Sequence, residues 1–353
     1  MFAQLPKQFD YATKTVFGKE IKILQNCCTK PTLMSCGGGG GCGGGSGTSN
    51  PCGGGYSGGC GGGSGYGNTI IRPGDFAKDA LKKLKKKKKI RKSMQSCGST
   101  MFLNVTNECN LGCYFCIADR DKQMISDFGK LDSSLSELIS QGVIDKVVLT
   151  GGEPLMHPKF STFLNMLDEF PLQHYSLNTN GTLLPYHLDA INASELKHIN
   201  ISMHHFTDAV NRKIMGRGCL QLATIPKLRK EISANIEIRL AATITQHLHT
   251  EEDILAYTKM AKSLGIDSVI FRNEYKGFDR HLTAFQRIWG DMFTADICNC
   301  AVKIINGVRA DYRESNVRLK QAICEAGLYF RDFIYQANDT LGGSWEDSSQ
   351  RLI

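Results

Sequence analysis

The stretch MFLNVTNECNLGCYFC, residues 101–116, joins a strand pattern to a crowd of thiols. MFLNVT (101–106) is rich in apolar and β-branched residues and reads as a strand. Behind it, Cys109, Cys113 and Cys116 stand at the spacing C-x3-C-x2-C. Three thiolates in one loop suit an iron–sulfur cluster, which takes cysteine ligands. A zinc site completed by a distant fourth ligand has the same local signature, and spacing alone leaves both open.

Working outward, the strand pattern recurs. KVVLT (146–150), HYSLNT (174–179), HINISM (198–203), IEIRLAAT (236–243) and DSVIFR (267–272) read as strands, with helix-like segments at 131–142 and 159–170. TEEDILAYTKMAKSLG has a capping Thr250 with Asp253 three places on. Its apolar stripe is Ile254, Tyr257, Met260, Ala261 and Leu264, and Gly265 stops it. Six strands alternating with helices predict the α/β class, a parallel sheet curled into a partial TIM-like (β/α)6 barrel over 97–290. Such barrels do their chemistry at the C-terminal ends of the strands. The cysteines fall at one of those ends. Residues 291–353 are expected to form a small α+β extension. There VKIINGVRADY sets Asn306-Gly307 between two alternating runs, a hairpin signal, and LYFRDFIYQA reads as a further strand or hairpin.

Other strand ends carry Thr150-Gly-Gly-Glu-Pro154, Asn178-Thr-Asn-Gly181 and Ser202. Singly these are weak: a GGE is usually a turn, and an Asn at a strand end is usually structural. In this order, behind C-x3-C-x2-C with Phe115 beside Cys116, they resemble the radical S-adenosylmethionine (SAM) superfamily. The likeness is to its branch with the molybdopterin-precursor cyclases, the SPASM/Twitch-type peptide maturases and the sulfatase-maturing enzymes, and it covers 97–290. It implies a [4Fe–4S] cluster on Cys109, Cys113 and Cys116, with the open iron chelated by the amino and carboxylate groups of SAM. It further implies that Gly151, Gly152 and Glu153 hold the SAM amino group. Asn178 and Ser202 would meet its carboxylate and ribose, and Phe115 is the family's aromatic at the cofactor. The implied reaction is reductive cleavage of SAM to a 5′-deoxyadenosyl radical, fed by a flavodoxin- or ferredoxin-type electron donor. Within the branch the cyclase fits less well. Its GTP-binding arginine just before T-G-G is replaced by Val148, and its glycine-glycine C-terminus by Arg351-Leu352-Ile353. Members also carry auxiliary clusters in C-terminal extensions. Cys298, Cys300 and Cys324 are the candidates for one here, although their C-x-C start departs from the usual C-x2-C and buried structural thiols are the alternative.

No catalytic residue is assigned from the sequence, and the candidates are few. Alternation along a strand puts His204 on the same face as Ser202, so His204 or His205 is a candidate proton donor or substrate contact. A buried, hydrogen-bonded histidine is the alternative for each. Arg239 and Arg272 are candidates for binding an anionic group, Arg272 with the better position, and surface ion pairing is the alternative.

The 353-residue chain has ordinary apolar content at 41%, no apolar run long enough for a membrane span, and no basic-then-apolar signal at its start. Fourteen cysteines without an export signal favour metal or catalytic thiols in a reducing cytoplasm over a disulfide scaffold. The net charge of +8 comes from KDALKKLKKKKKIRK (78–92), without which the protein is nearly neutral. Residues 1–35 read as leader-like, 36–67 as a Cys/Gly tract with Cys36, Cys42, Cys52 and Cys60, and 68–96 as a basic connecting segment. The tract offers few apolar side chains and a high ordering entropy, so disorder is expected. A leader-like segment before a Cys/Gly tract resembles a ribosomally made, post-translationally modified peptide. The tract is therefore a candidate substrate, or a mimic of one, with a plain linker as the alternative. A small molecule is a further substrate class. The lysine block is a candidate docking arm for an RNA or nucleotide substrate, though no aromatic residues interleave with it to stack bases. A non-catalytic scaffold is disfavoured by the intact cysteine loop and GGEP.

Overall fold

The structure is a computed structural model that describes residues 11–24, 99–116, 121–273, 288, 300–313, 329–330, 332–343 and 351–353. The Cys/Gly tract and the lysine block lie outside the described residues, as do Cys298 and Cys324.

The chain opens with an antiparallel hairpin, β1 (Tyr11–Val16) and β2 (Lys19–Leu24). Phe17 and Gly18 close it with φ of 50° and 70°, the left-handed pair that a two-residue hairpin turn requires. So part of the segment read as leader-like is a hairpin. The barrel units follow in order: β3 (Ser99–Asn104), α1 (Phe128–Ser140), β4 (Ile144–Thr150), α2 (Phe160–Glu169), β5 (His174–Thr179), α3 (Leu188–Ala193) and β6 (His198–Ser202). Next come α4 (Asp208–Met215), α5 (Ile225–Glu231), β7 (Glu237–Ile244), α6 (Glu251–Ser263) and β8 (Ser268–Asn273). The six strands read from the sequence are all present, one with the same bounds and the other five shifted at an end by one or two residues.

The C-terminal residues add β9 (Cys300–Ile305), β10 (Val308–Arg313), β11 (Tyr329–Phe330), β12 (Asp332–Tyr335) and β13 (Leu341–Gly342). The Asn306-Gly307 turn joins β9 to β10 with φ of 53° and 71°, as its residue types predict. These strands do not stand apart from the barrel. β10 pairs parallel with β8 and β12 pairs parallel with β3, so the extension lengthens the six-strand sheet at both edges. The order is β13-β12-β3-β4-β5-β6-β7-β8-β10-β9. An uncovered edge strand leaves a row of unpaired backbone groups, and here the chain's own C-terminal strands cover both edges of the six. β11 instead pairs with β2 in a separate three-stranded sheet.

Strand parity decides where the core and the site lie. Leu103, Leu149, Leu177, Ile199 and Ile238 are register neighbours across five strands, and all are buried in one apolar cluster with Leu131, Leu135 and Phe163 of the helices. The alternate positions, among them Asn178, Asn200, Ser202, Thr243 and Arg272, turn to the other face. A one-residue slip would drive these polar groups into the helices, so burial of the aliphatic row fixes the polar face as well. No helix among the described residues is long and apolar enough to cross a membrane.

α6 is capped as its sequence predicts. Thr250 Oγ1 accepts from Asp253 N at 3.1 Å, and Asp253 Oδ2 accepts from Thr250 N at 2.9 Å. Tyr257 on the same helix donates its hydroxyl to Met203 O at 2.6 Å, which ties α6 to the end of β6. Thr250→Ala should cost about 1 kcal/mol, a fall in Tm of about 2 °C by calorimetry, with no change at the strand ends.

Candidate active site

The cysteine loop leaves β3 and is carried by two neighbours. Val105 N donates to Thr150 O at 2.9 Å, which keeps the loop's root beside the end of β4. Further on, Gly112 N donates to Met215 O at 2.8 Å and Tyr114 N to Ile214 O at 3.3 Å, at the C-terminal end of α4. Leu111, Ile214, Met215 and Cys219 form a small apolar cluster beneath, with Cys109, Cys113 and Phe115 against it. Cys109 and Cys113 are half-buried and Cys116 is exposed. Burial pushes the Cys109 thiol above its ordinary value, and the nearby Glu153 and Cys116 add to that, while the Leu111 N–H counters it.

A cavity of about 220 Å³ opens at the C-terminal ends of the strands, and all three cysteines line it. So do Phe115, Gly151, Gly152, Asn178, Ser202, His204 and Arg272. Ten of the residues singled out from the sequence thus share one wall or another of the same space.

The two glycines are required by the protein's own backbone. Gly151 has φ of +152°, and a Cβ there would lie 2.4 Å from Thr106 O. At Gly152 a Cβ would meet Glu108 O at 2.2 Å and Asn107 O at 2.6 Å. The turn lies against the cysteine loop and bonds to it through Gly152 N to Thr106 O at 2.6 Å and Glu153 N to Glu108 O at 2.7 Å.

Glu153 is placed apart from the other candidates. Its side chain is not on the cavity wall, and the residue is fully buried. One carboxylate oxygen accepts from Thr179 Oγ1 at 2.7 Å and Leu155 N at 3.2 Å, the other from Asn180 N at 2.7 Å. Both oxygens accept from in-chain donors, so the carboxylate ties the end of β4 to the end of β5. Burial pushes its pKa up to about 7 against these three donors. Glu153→Gln would set an amide NH2 against a donor and should lower stability by about 1–3 kcal/mol in denaturant titration, with no atom removed from the cavity wall.

The histidines separate. His204 is buried at the wall, its ring edge-on to Phe115 with centroids 4.9 Å apart. Thr243 N donates to its Nδ1 at 3.0 Å, which places the ring proton on Nε2. Burial pushes the imidazole down to about 4, so at neutral pH it can donate a hydrogen bond but not act as an imidazolium acid. His205 does not line the cavity. It turns into its own loop, with Nδ1 accepting from Thr207 N at 3.0 Å and its ring stacked on Phe206. Arg272 lines the cavity from β8, opposite Thr243 in register. Arg239 lies nearer the other end of the barrel, ion-paired with Glu237.

Asn200 is the contact that sequence reasoning missed. It sits mid-strand in β6, where an asparagine gives no local signal, yet it lines the cavity and donates to Asn178 Oδ1 at 2.8 Å. Its own Oδ1 is buried with no hydrogen-bond partner, which leaves an acceptor for a ligand.

Residues 103–272, from β3 to β8, match the model of the radical SAM superfamily. The chain carries a radical SAM domain. Its relatives include the GTP 3',8-cyclase of Synechocystis sp., 25% identical over 166 residues, or 44% of this chain and 49% of that protein. The probable GTP 3',8-cyclase of Aeropyrum pernix is 25% identical over 197 residues, 52% of this chain and 53% of its own. The chain spans about half the length of the curated relatives it matches. Among solved structures, Streptococcus suis SuiB bound to S-adenosylmethionine superposes with a TM-score of 0.53 at 14% identity, covering 80% of this chain and 69% of that one. SuiB bound to its precursor peptide SuiA gives 0.51 at 15%, over 79% and 66%. These structural likenesses show the fold. Radical SAM enzymes use a [4Fe–4S] cluster and SAM, and they need a reductant.

The residues present fit those cofactors. Three thiols are the ligand chemistry that an iron–sulfur cluster takes. Cavity, orphaned Asn200 acceptor and polar strand ends suit a polar ligand beside them. Cys300 opens β9 opposite Arg313, and its proposed cluster partners lie outside the described residues.

Proposed function

We propose that this chain is a radical SAM enzyme whose cavity holds the cluster on Cys109, Cys113 and Cys116 and SAM between the Gly151-Gly152 turn and the ends of β5 and β6. When bound, the cluster and SAM supply a 5′-deoxyadenosyl radical that takes a hydrogen atom from substrate. The chain's own residues bind, orient and exclude water. Gly151 and Gly152 bring backbone to the ligand's edge. Asn178 fixes Asn200, whose free carbonyl accepts a polar hydrogen, and Ser202 offers a hydroxyl. Phe115 and Met215 supply apolar wall. The convergence of the three thiols with those polar strand ends on one cavity is the observation that carries this reading.

The substrate we propose is a cysteine- and glycine-rich peptide, the chain's own 36–67 or one like it. The sequence supports it: glycine Cα–H is unshielded by any side chain, and Cys36, Cys42, Cys52 and Cys60 supply thiols along the same tract. A nucleotide is the second reading, favoured by the GTP 3',8-cyclase relatives, with Arg272 as the cation on the cavity wall. Anaerobic reconstitution with SAM and reductant, followed by mass spectrometry of residues 27–72, separates them. A tract that loses two hydrogens per sulfur–carbon crosslink supports the peptide. An unchanged tract together with consumption of added GTP supports the nucleotide.

A further inference from the structure

Where the cysteine loop meets the end of α4, exposed cations gather beside an exposed cysteine. Gly112 N and Tyr114 N donate to the carbonyls of Met215 and Ile214, and the turn beyond the helix continues the contact. A Cβ on Gly216 would lie 3.8 Å from Gly112 N, and one on Gly218 would lie 3.6 Å from Leu111 Cδ2. Arg217 stands between those two glycines and so is held beside the loop. Arg212, Lys213 and Arg217 are exposed, as are Tyr114 and Cys116. A helix C-terminus favours cations in its last turn, which accounts for Arg212 and Lys213 but not for Arg217, past the helix end. Among the described residues none of the three is ion-paired. Asp208, the acid of α4, is at the helix start and accepts from Leu222 N at 2.9 Å.

Cys116 both lines the cavity and reaches the surface, so the patch and the cavity are two sides of one loop. A reductant outside the chain has to approach there. We infer that Arg212, Lys213, Arg217 and Tyr114 form the docking surface for that reductant, a small acidic electron-transfer protein of the flavodoxin or ferredoxin type. This rests on the cluster reading proposed above. The donor is oxidised by one electron, which passes to the cluster at Cys116, and no atom is exchanged. Cations around an entry point steer an acidic partner, and salt screens the effect. Tyrosine and arginine are also residue types enriched at protein interfaces.

The test measures binding of a flavodoxin and of a bacterial ferredoxin to the reconstituted full chain, at low and high salt, by surface plasmon resonance. Stopped-flow absorbance follows reduction of the cluster by each donor. The triple variant Arg212→Glu, Lys213→Glu, Arg217→Glu should weaken donor binding about tenfold at low salt and lose most of the salt dependence. Donor-driven reduction should slow to match, while dithionite at high salt reduces it as fully as the wild type. A second triple variant, Lys197→Glu, Lys230→Glu, Lys259→Glu, reverses exposed charges before β6 and on α5 and α6, and should bind as the wild type does. Should the first variant fail to fold, glutamine at the same three positions carries the same expectation with a smaller loss. Equal losses in the two triple variants overturn the inference, because they report net charge alone. Unchanged binding in the patch variant overturns it too, as does a cluster-loaded wild type that binds neither donor. Single-stranded RNA that binds the wild type and not the patch variant, with donor binding unchanged, overturns it in favour of a nucleic-acid surface. A wild type that takes up no cluster fails earlier and overturns the cluster reading itself.

Discussion

Cys116→Ala should lose the broad visible absorbance of the reconstituted cluster and reduce 5′-deoxyadenosine formation to background, while Tm stays where it was. The two halves of this result have separate causes. A cluster held by three protein thiolates cannot be retained normally on two. The side chain, however, is exposed, and a surface truncation away from caps and core changes stability by no more than about 0.5 kcal/mol. Cys219→Ala is the informative contrast. That thiol is buried in the apolar cluster under the loop, so its loss should lower stability yet leave the cluster in place. A Cys116→Ala protein that kept full absorbance would remove the residue from the ligand set.

Gly152→Ala should be severely damaging for a single added methyl. The added carbon would lie 2.2 Å from a backbone carbonyl, Glu108 O, and no side-chain rotation can relieve a backbone contact. Relief has to separate the turn from the cysteine loop and break the bonds from Gly152 N and Glu153 N. We expect a loss of about 3 kcal/mol and a fall in Tm of about 5 °C or more, accompanied by weaker SAM binding in equilibrium dialysis. Gly18→Ala isolates the conformational part of the effect. Gly18 has φ of +70° but nothing within 4 Å, so only the left-handed penalty of about 1–2 kcal/mol applies. Equal losses at both sites would mean that the close approach at Gly152 is relaxed in solution.

Much of this could be read along the chain because the signals are local. Alternation marked the six barrel strands, Thr250 with Asp253 marked a helix start, and Asn306-Gly307 marked a hairpin. The cysteine spacing and the strand-end motifs picked out residues that the fold brings to one cavity. What escaped is long-range. Glu153 looks like a free carboxylate until the end of β5 is folded over it and Thr179 and Asn180 donate to its two oxygens. His204 and His205 are neighbours with nothing local to separate them, and only the packing of Thr243 and Phe115 assigns one to the cavity. The strands after residue 300 have ordinary β patterns, and no local feature tells that one joins β8 and another β3. Asn200 becomes visible only when β5 and β6 are in register, which sets it beside Asn178.

The central claim is that the cavity at the strand ends is a radical SAM site, and its most direct test is SAM cleavage itself. The full chain, reconstituted anaerobically with iron and sulfide, is mixed with SAM and dithionite, and 5′-deoxyadenosine and methionine are quantified by mass spectrometry. The account predicts both products from the wild type and neither from Cys116→Ala. A wild type that holds its cluster and releases no 5′-deoxyadenosine would contradict it.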